Sequence, residues 1–352
     1  MQKTFVPFEE IKKYPKVLGV DCNHPHAFCL SHWRGAPTPL NLQDDTSAGI
    51  VINAIKFNIP ELAYPVVSNN HFDIDGFVGV WSLLNPALAL KYEAVLRQMA
   101  LIGDFREYQI QLPASDLALK LVCYINTVEK QKFYPPFGAQ FTEEKEAILC
   151  VEKFNYFLGE FEQVLSNIDA YQEFWQEEYQ QVVDGLQAIQ NHGSILNFDN
   201  IKLQVVICPE PVHYYALFAQ SENADMVLSI YDNNRYELEY KYTTWINAYT
   251  RLSFPRTNLT SLTIKLNEIE KSGVKWDCQN ITDTGTVLRL NGKKLSKEQR
   301  YDHPFNRSIE SSSIPAQELI NLIDNHFEKA LANLPKKNAF TWKEVKGFAL
   351  VK

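Results

Sequence analysis

The feature that most restricts the fold of this 352-residue chain is a change of hydrophobic period near Gly193. Before it, Leu117 to Val128 and Glu143 to Gln190 carry helix-period patterns, the second rich in Glu, Gln and aromatics and interrupted only by Gly159 and Gly185. A pattern that long without an internal cap predicts a helical linker or a hairpin. Asn191-His192-Gly193-Ser194 breaks it. Strand-type sequence follows: Ile201 to Ile207, His213 to Phe218, Met226 to Tyr231 and Tyr236 to Tyr242, with Asp232-Asn233-Asn234 as a hairpin-type turn. An amphipathic helix over Leu259 to Lys271, a strand over Val287 to Leu290 and a terminal helix over Pro315 to Asn333 complete this half. The order predicts an α/β protein, with α+β as the alternative. It has two parts: residues 1–192, with a mixed sheet closed by long helices, and residues 193–352, a β-rich substrate or cap domain.

The N-terminal third is the part that reads as a site. Val17-Leu18-Gly19-Val20 is a short apolar run, a buried strand that delivers Asp21-Cys22-Asn23-His24-Pro25-His26 into a loop. Ser31 to Leu40 is loop-like, and Asp44-Asp45-Thr46-Ser47 supplies N-cap residues before a short helix from Ala48 to Ile55. A second strand, Tyr64-Pro65-Val66-Val67, leads through Ser68-Asn69-Asn70 to His71-Phe72-Asp73-Ile74-Asp75-Gly76. The apolar Phe77 to Leu84 then predicts a buried helix, and Pro86 begins another that runs to about Ile102. In α/β proteins sites form at the carboxyl ends of strands, so the loops holding Asp21 to His26 and His71 to Asp75 are expected to meet.

Two carboxylates and an imidazole on one tight turn form an oxygen-rich set suited to a divalent metal, manganese or magnesium before structural zinc. The plainer reading is that His71 ends a strand while Asp73 or Asp75 caps the following helix. Asp21, His71, Asp73 and Asp75 are the candidate metal ligands, with His24 beside them. His24 and His26 are the candidate catalytic acids, placed to protonate a leaving group or orient phosphate. His32, with Arg251, Arg256 and Arg307, is a candidate substrate contact, because arginine forks suit phosphate. The bland alternatives are a polar loop with unrelated histidines and arginines on ordinary surface turns.

The His71-Phe72-Asp73-Ile74-Asp75-Gly76 turn resembles the first motif of the DHH phosphoesterase superfamily, where H-x-D-x-D-G follows a strand and binds two divalent metals. The resemblance implies that His71 and Asp73 hold one metal and Asp75 the other. Val17 to Pro25 looks like a loosened form of the family's D-H-H motif, with D-x-x-H in its place and ahead of the H-x-D-x-D turn. The N-terminal third also resembles an uncharacterised bacterial family of unknown function that carries similar Ser31-His32-Trp33, Asp45-Thr46-Ser47 and His71-to-Gly76 blocks. That second likeness implies no activity.

Charge and motifs exclude other classes. Thirty-four Lys and Arg against 42 Asp and Glu leave a net charge of −8, so duplex nucleic acid and anionic membranes are not expected partners. No phosphate-binding Gly-rich loop and no G-x-S-x-G elbow is present. Six cysteines without a C-x-x-C pair, and a start without signal architecture, predict reduced thiols in a cytoplasmic protein. The expectation is a metal-dependent phosphoesterase-like hydrolase acting on a phosphoester or small nucleotide, the C-terminal half laying its arginines over the substrate. The alternatives are a non-catalytic structural or interaction protein with a degenerate site, or a mononuclear metal hydrolase. Oligomeric state is left open.

Overall fold

The computed structural model describes residues 3–109, 111–133, 143–280 and 286–349. It divides the chain into two compact units: Met1–Tyr179 with Ile246–Arg251, and Gln180–Trp245 with Leu252–Lys352. The fold is mixed α/β. None of the described helices is long and apolar enough to cross a membrane.

The N-terminal unit is built on four short parallel strands: β1 (Thr4–Phe5), β2 (Val17–Val20), β3 (Phe28–Leu30) and β4 (Val66–Ser68), in the order β1-β4-β2-β3. All four residues of β2 are buried, as expected of a parallel strand covered on both faces. Helix α1 (Ser47–Phe57) starts at Thr46, whose side chain accepts the Gly49 N–H. Helix α2 (Ile74–Leu84) starts at Asp73, whose side chain accepts the Gly76 N–H. The stretch after Pro86 forms two helices, α3 (Pro86–Lys91) and α4 (Glu93–Phe105), followed by α5 (Pro113–Val128). A Cβ on Gly79 would lie 2.6 Å from Val20, so glycine there lets α2 pack directly on β2.

The expected continuous pattern from Glu143 to Gln190 is two helices, α6 (Glu143–Ser166) and α7 (Gln172–His192). A single 3-10 turn, Ile168–Tyr171, separates them, and the Trp175 indole N–H donates to the Ile168 carbonyl at 3.0 Å. Phe154, Phe157 and Phe161 of α6 meet Phe72, Phe77 and Trp81 in edge-to-face, tilted and stacked contacts with centroids 5.0–6.4 Å apart. Each such pair adds about 0.5–1.5 kcal/mol beyond area burial. This aromatic cluster anchors α6 to the turn that begins at His71.

The C-terminal unit holds a six-stranded sheet: β5 (Ser194–Phe198), β6 (Leu203–Ile207), β7 (Met226–Tyr231), β8 (Arg235–Tyr240), β9 (Trp276–Cys278) and β10 (Thr286–Leu290), in the order β5-β6-β7-β8-β10-β9. Only the β6–β7 pair is parallel. Alternation sorts its faces: Val205 and Leu228 join one core cluster, Val206 and Val227 the other. The first cluster is closed by α9 (Thr260–Ile269) and α11 (Ala316–Leu331), which supply Leu262, Leu266, Leu319, Ile323 and Phe327. The short α10 (Lys297–Tyr301) and α12 (Trp342–Ala349) complete the unit.

Two sequence expectations change here. Tyr214–Phe218, expected as part of a strand, is a one-turn helix, α8, capped by His213, whose Nδ1 accepts the Tyr215 N–H at 3.1 Å. Its bulky residues suit a strand locally, but burying Ala216, Leu217 and Phe218 beside Val206 selects the helix. The division between units falls inside α7, ahead of the period change at Gly193, because Ile189 and Leu186 already pack with Val206 and Ala216.

Candidate metal centre

Strands β2, β3 and β4 run parallel, so their carboxyl ends open on one edge of the sheet. Asp21 follows β2, Ser31 and His32 follow β3, and Asn69 to Asp75 follow β4. Asp21 adopts a left-handed backbone, φ 48°, a region aspartate tolerates better than most residues. Its N–H still donates to the Leu30 carbonyl at 3.2 Å, so the residue stays tied to β3 while leaving β2.

The two oxygens of Asp21 face two different partner sets. Oδ1 accepts the Ser47 hydroxyl at 2.6 Å and lies 3.3 Å from His32 Nε2. The same imidazole nitrogen is 3.8 Å from Asp75 Oδ2 and 3.3 Å from Asp104 Oδ2. Oδ2 of Asp21 lies 3.3 Å from His71 Nε2, which is 2.9 Å from Asp73 Oδ2. Asp21, His32 and Asp75 form one compact donor set and Asp21, His71 and Asp73 the other, with ligand atoms within 4.8 Å of one another in each. The first set is buried. The second is open, its His71 and Asp73 side chains 37% and 39% exposed.

Backbone groups fix these carboxylates. Asp75 accepts the Ser47 and Ala48 N–H groups at 2.7 and 2.8 Å, so its carboxylate binds the amino end of α1 although the residue lies in the first turn of α2. Asp73 combines two roles: Oδ1 caps α2 while Oδ2 faces His71. Asp104 lies in the last turn of α4. A Cβ on Gly103 would be 2.6 Å from Ile74, so glycine allows α4 close to the start of α2. His32 Nδ1 lies 2.5 Å from the Asp45 carbonyl; a carbonyl only accepts, so Nδ1 carries the proton and Nε2 turns to the acids.

The electrostatics are those of a cluster short of positive charge. Burial disfavours the charge of Asp21, but His32 and His71 outweigh it and hold its carboxyl well below the usual range. Burial also opposes a charged His32, and Asp21, Asp104 and Asp75 overcome it, raising the imidazole. His71 is raised in the same way, by Asp73 and Asp21 against burial. Asp75 is pushed up to about 8 by burial and the Asp21 charge, and Asp104 is pushed upward by burial and Asp75. Four carboxyl groups thus share two imidazoles, and Asp75 and Asp104 are the two that favour holding a proton. Imidazole nitrogen with several carboxylate oxygens is a donor set that could hold a divalent cation, and each of the two sets offers one.

The structure brings together Asp21, His71, Asp73 and Asp75, as the sequence predicts. It places His32 among the candidate metal ligands, not at a substrate surface. Asp104 has no motif around it; only the packing of α4 on α2 brings it in. His24 and His26 do not join the cluster. His26 Nε2 lies 3.0 Å from the Tyr14 carbonyl, His24 Nδ1 accepts the His26 N–H at 3.1 Å, and the His24 ring meets Phe8 edge-on at 5.4 Å. The expected catalytic pair thus serves the loop itself.

The three arginines are also committed internally. Arg251 bonds Asp45 Oδ2 at 2.6 Å and both Glu107 oxygens at 2.7 and 2.9 Å. Arg256 bonds the Tyr242 carbonyl and lies over the Tyr240 ring, 4.8 Å from its centroid. Arg307 holds Glu237 at 3.0 and 2.5 Å and bonds the Asp302 carbonyl. Turn residues beside each in sequence suggest a surface fork free to meet substrate; in the fold each is engaged by acids, carbonyls or a ring of the protein itself.

No curated protein matches the sequence. A family model described as a family of unknown function (DUF6687) matches residues 1–338, and the chain belongs to that family.

Proposed function

We propose that the N-terminal unit is a divalent-metal-dependent phosphoesterase, with manganese or magnesium as cation and a phosphoester or small nucleotide as substrate. The observation that carries this reading is the division of Asp21 between two His–Asp sets. A carboxylate shared in this way suits two cations a few ångströms apart, the arrangement that clamps an in-line phosphoryl displacement. Divalent cations supply Lewis acidity and lower the pKa of bound water. His32, Asp75 and Asp104 hold the buried subsite, His71 and Asp73 the open one, and Asp21 spans both. The partly exposed His71 and Asp73 mark the side on which substrate enters.

The test is calorimetric titration of Mn²⁺ into the full chain, with hydrolysis of a nitrophenyl phosphodiester as the activity readout. Wild type is expected to bind two ions and to hydrolyse the ester only with metal. Asp21→Asn should lose both ions. Asp73→Asn, which keeps the cap on Gly76, should lose one. A wild-type chain that binds no Mn²⁺ would overturn the reading in favour of a non-catalytic protein with a degenerate site.

A further inference from the structure

Residues 246–251 belong to the N-terminal unit although they lie about two hundred positions downstream of the strands that build the site. They touch His32 by two routes. On its main chain, the Asn247 N–H donates to the His32 carbonyl at 2.9 Å, and Trp33 and Ile246 form an antiparallel bridge. Arg34 fastens this end, donating to the Ile246 carbonyl and to Asn247 Oδ1, both at 2.7 Å. On its ring, His32 Nδ1 is held by the carbonyl of Asp45. The Asp45 carboxylate in turn accepts the Thr250 N–H at 2.6 Å, the Thr250 hydroxyl at 2.7 Å and Arg251 Nε at 2.6 Å. Arg251 is itself locked by Glu107, which is 5% exposed, and its guanidinium lies 5.4 Å from the centre of Phe105, a ring that also flanks His32.

We propose that Arg251 is a positioning residue for the buried metal subsite: through Asp45 it fixes the tautomer and ring angle that aim His32 Nε2 at Asp21, Asp75 and Asp104. The inference rests on the metal reading above. The physical reason is that an imidazole ligand needs its other nitrogen anchored, and here the anchor is a peptide carbonyl with no helix or strand bonds of its own to hold it. Asp45 lies between the 3-10 turn Leu40–Leu42 and α1, so its orientation comes from side chains: its own, and that of Asp44, whose Oδ1 accepts the Thr46 N–H of the same peptide at a long 3.4 Å. The Asp45 side chain is held by residues 250 and 251 alone among the hydrogen bonds described. The open subsite has no such tie, since His71 Nδ1 is met by its neighbour Asn70 at 2.8 Å. Loss of the brace must therefore act on one subsite and spare the other.

The experiment compares wild type, Arg251→Gln and Arg251→Lys as full chains, by Mn²⁺ titration and by ¹⁵N signals of the histidine rings in metal-free protein. Removing an outer anchor of a metal-bound histidine costs about ten- to a hundredfold in affinity. Arg251→Gln is expected to weaken one of two Mn²⁺ sites by that factor, to leave the other unchanged, and to shift the His32 ring signals. Arg251→Lys, which keeps charge but loses the fork, should fall between. Equal weakening of both sites, or unmoved affinities and ring signals in a folded variant, would overturn the proposal. If Arg251→Gln does not fold, Thr250→Val removes one of the three Asp45 bonds and is judged by the same criteria. A wild type that binds no Mn²⁺ defeats the metal reading, while the ring signals still decide whether Arg251 sets the His32 tautomer.

Discussion

Two buried acid sites, one in each unit, are supplied with counter-charge differently. In the C-terminal unit Glu237, 5% exposed, lies 2.5 Å from Arg307 and 3.5 Å from Arg289, both cations of the same unit. In the N-terminal unit, among the described residues, the ion-pair partner that Asp21, Asp75 and Asp104 share is one histidine, His32, and Asp21 alone of the three also faces His71. Buried charge is expensive unless paired, so the first arrangement is complete as folded and the second holds protons where cations fit.

The comparison breaks or holds most visibly on charge removal. Glu237→Gln leaves two buried arginines without their acid and should destabilise the protein by about 3–5 kcal/mol. Asp104→Asn puts a neutral amide where burial and Asp75 already favour the neutral carboxyl, so the metal-free protein should change by no more than about 1 kcal/mol. Urea unfolding without metal measures both. A large loss from Asp104→Asn would mean that the cluster is a structural network like its counterpart.

Asp225 is the intermediate case and sharpens the contrast. It is 3% exposed, Lys202 lies 3.7 Å from it, and the Phe254 N–H donates to Oδ2 at 2.7 Å. Burial wins over these partners and pushes its carboxyl up to about 6. The folded state therefore keeps a proton that the unfolded chain releases near pH 4. Stability from this group is present at low pH and is lost as pH rises from about 4 to about 6, by up to about 3 kcal/mol. Asp225→Asn should remove that slope. Unfolding curves across this window that run parallel for wild type and variant would show that Lys202 neutralises Asp225 as fully as the arginines neutralise Glu237.

How much of this was legible in the sequence depends on whether chain order or packing set the geometry. Asp21 and the His71-to-Asp75 turn could be paired because each follows an apolar run that had to be a neighbouring buried strand. The three residues of β3 carry no comparable signal, so His32 looked like part of a loop. Asp104 was invisible because the last turn of a helix says nothing about which loop residue, here His32, lies 3.3 Å from it. Arg307 and Arg251 sit among turn residues, and only the fold reveals Glu237 and Asp45 opposite them. The aromatic run after His213 suited a strand until its burial partners decided otherwise.

The smallest expected effect tests the histidines that the sequence favoured. His24, His26 and His32 lie within nine positions, and sequence proximity alone gives the first two the stronger claim, since they follow Asp21 directly. In the fold, His26 spends its Nε2 on the Tyr14 carbonyl and His24 its Nδ1 on the backbone of the same loop, with rings partly or fully exposed. His32 is 1% exposed with Nε2 within 3.3 Å of two carboxylates. Exposed groups with single backbone contacts usually change stability by less than about 0.5 kcal/mol when replaced. His24→Gln and His26→Gln, singly or together, should therefore leave both unfolding and Mn²⁺ titration as in wild type. His32→Gln should remove one of the two ions, because an amide neither matches imidazole as a donor nor keeps Nδ1 on Asp45. If His24→Gln instead costs as much metal affinity as His32→Gln, the loop after β2 contributes a ligand. The boundary drawn here between the acid cluster and its surroundings would then have to move outward to include it.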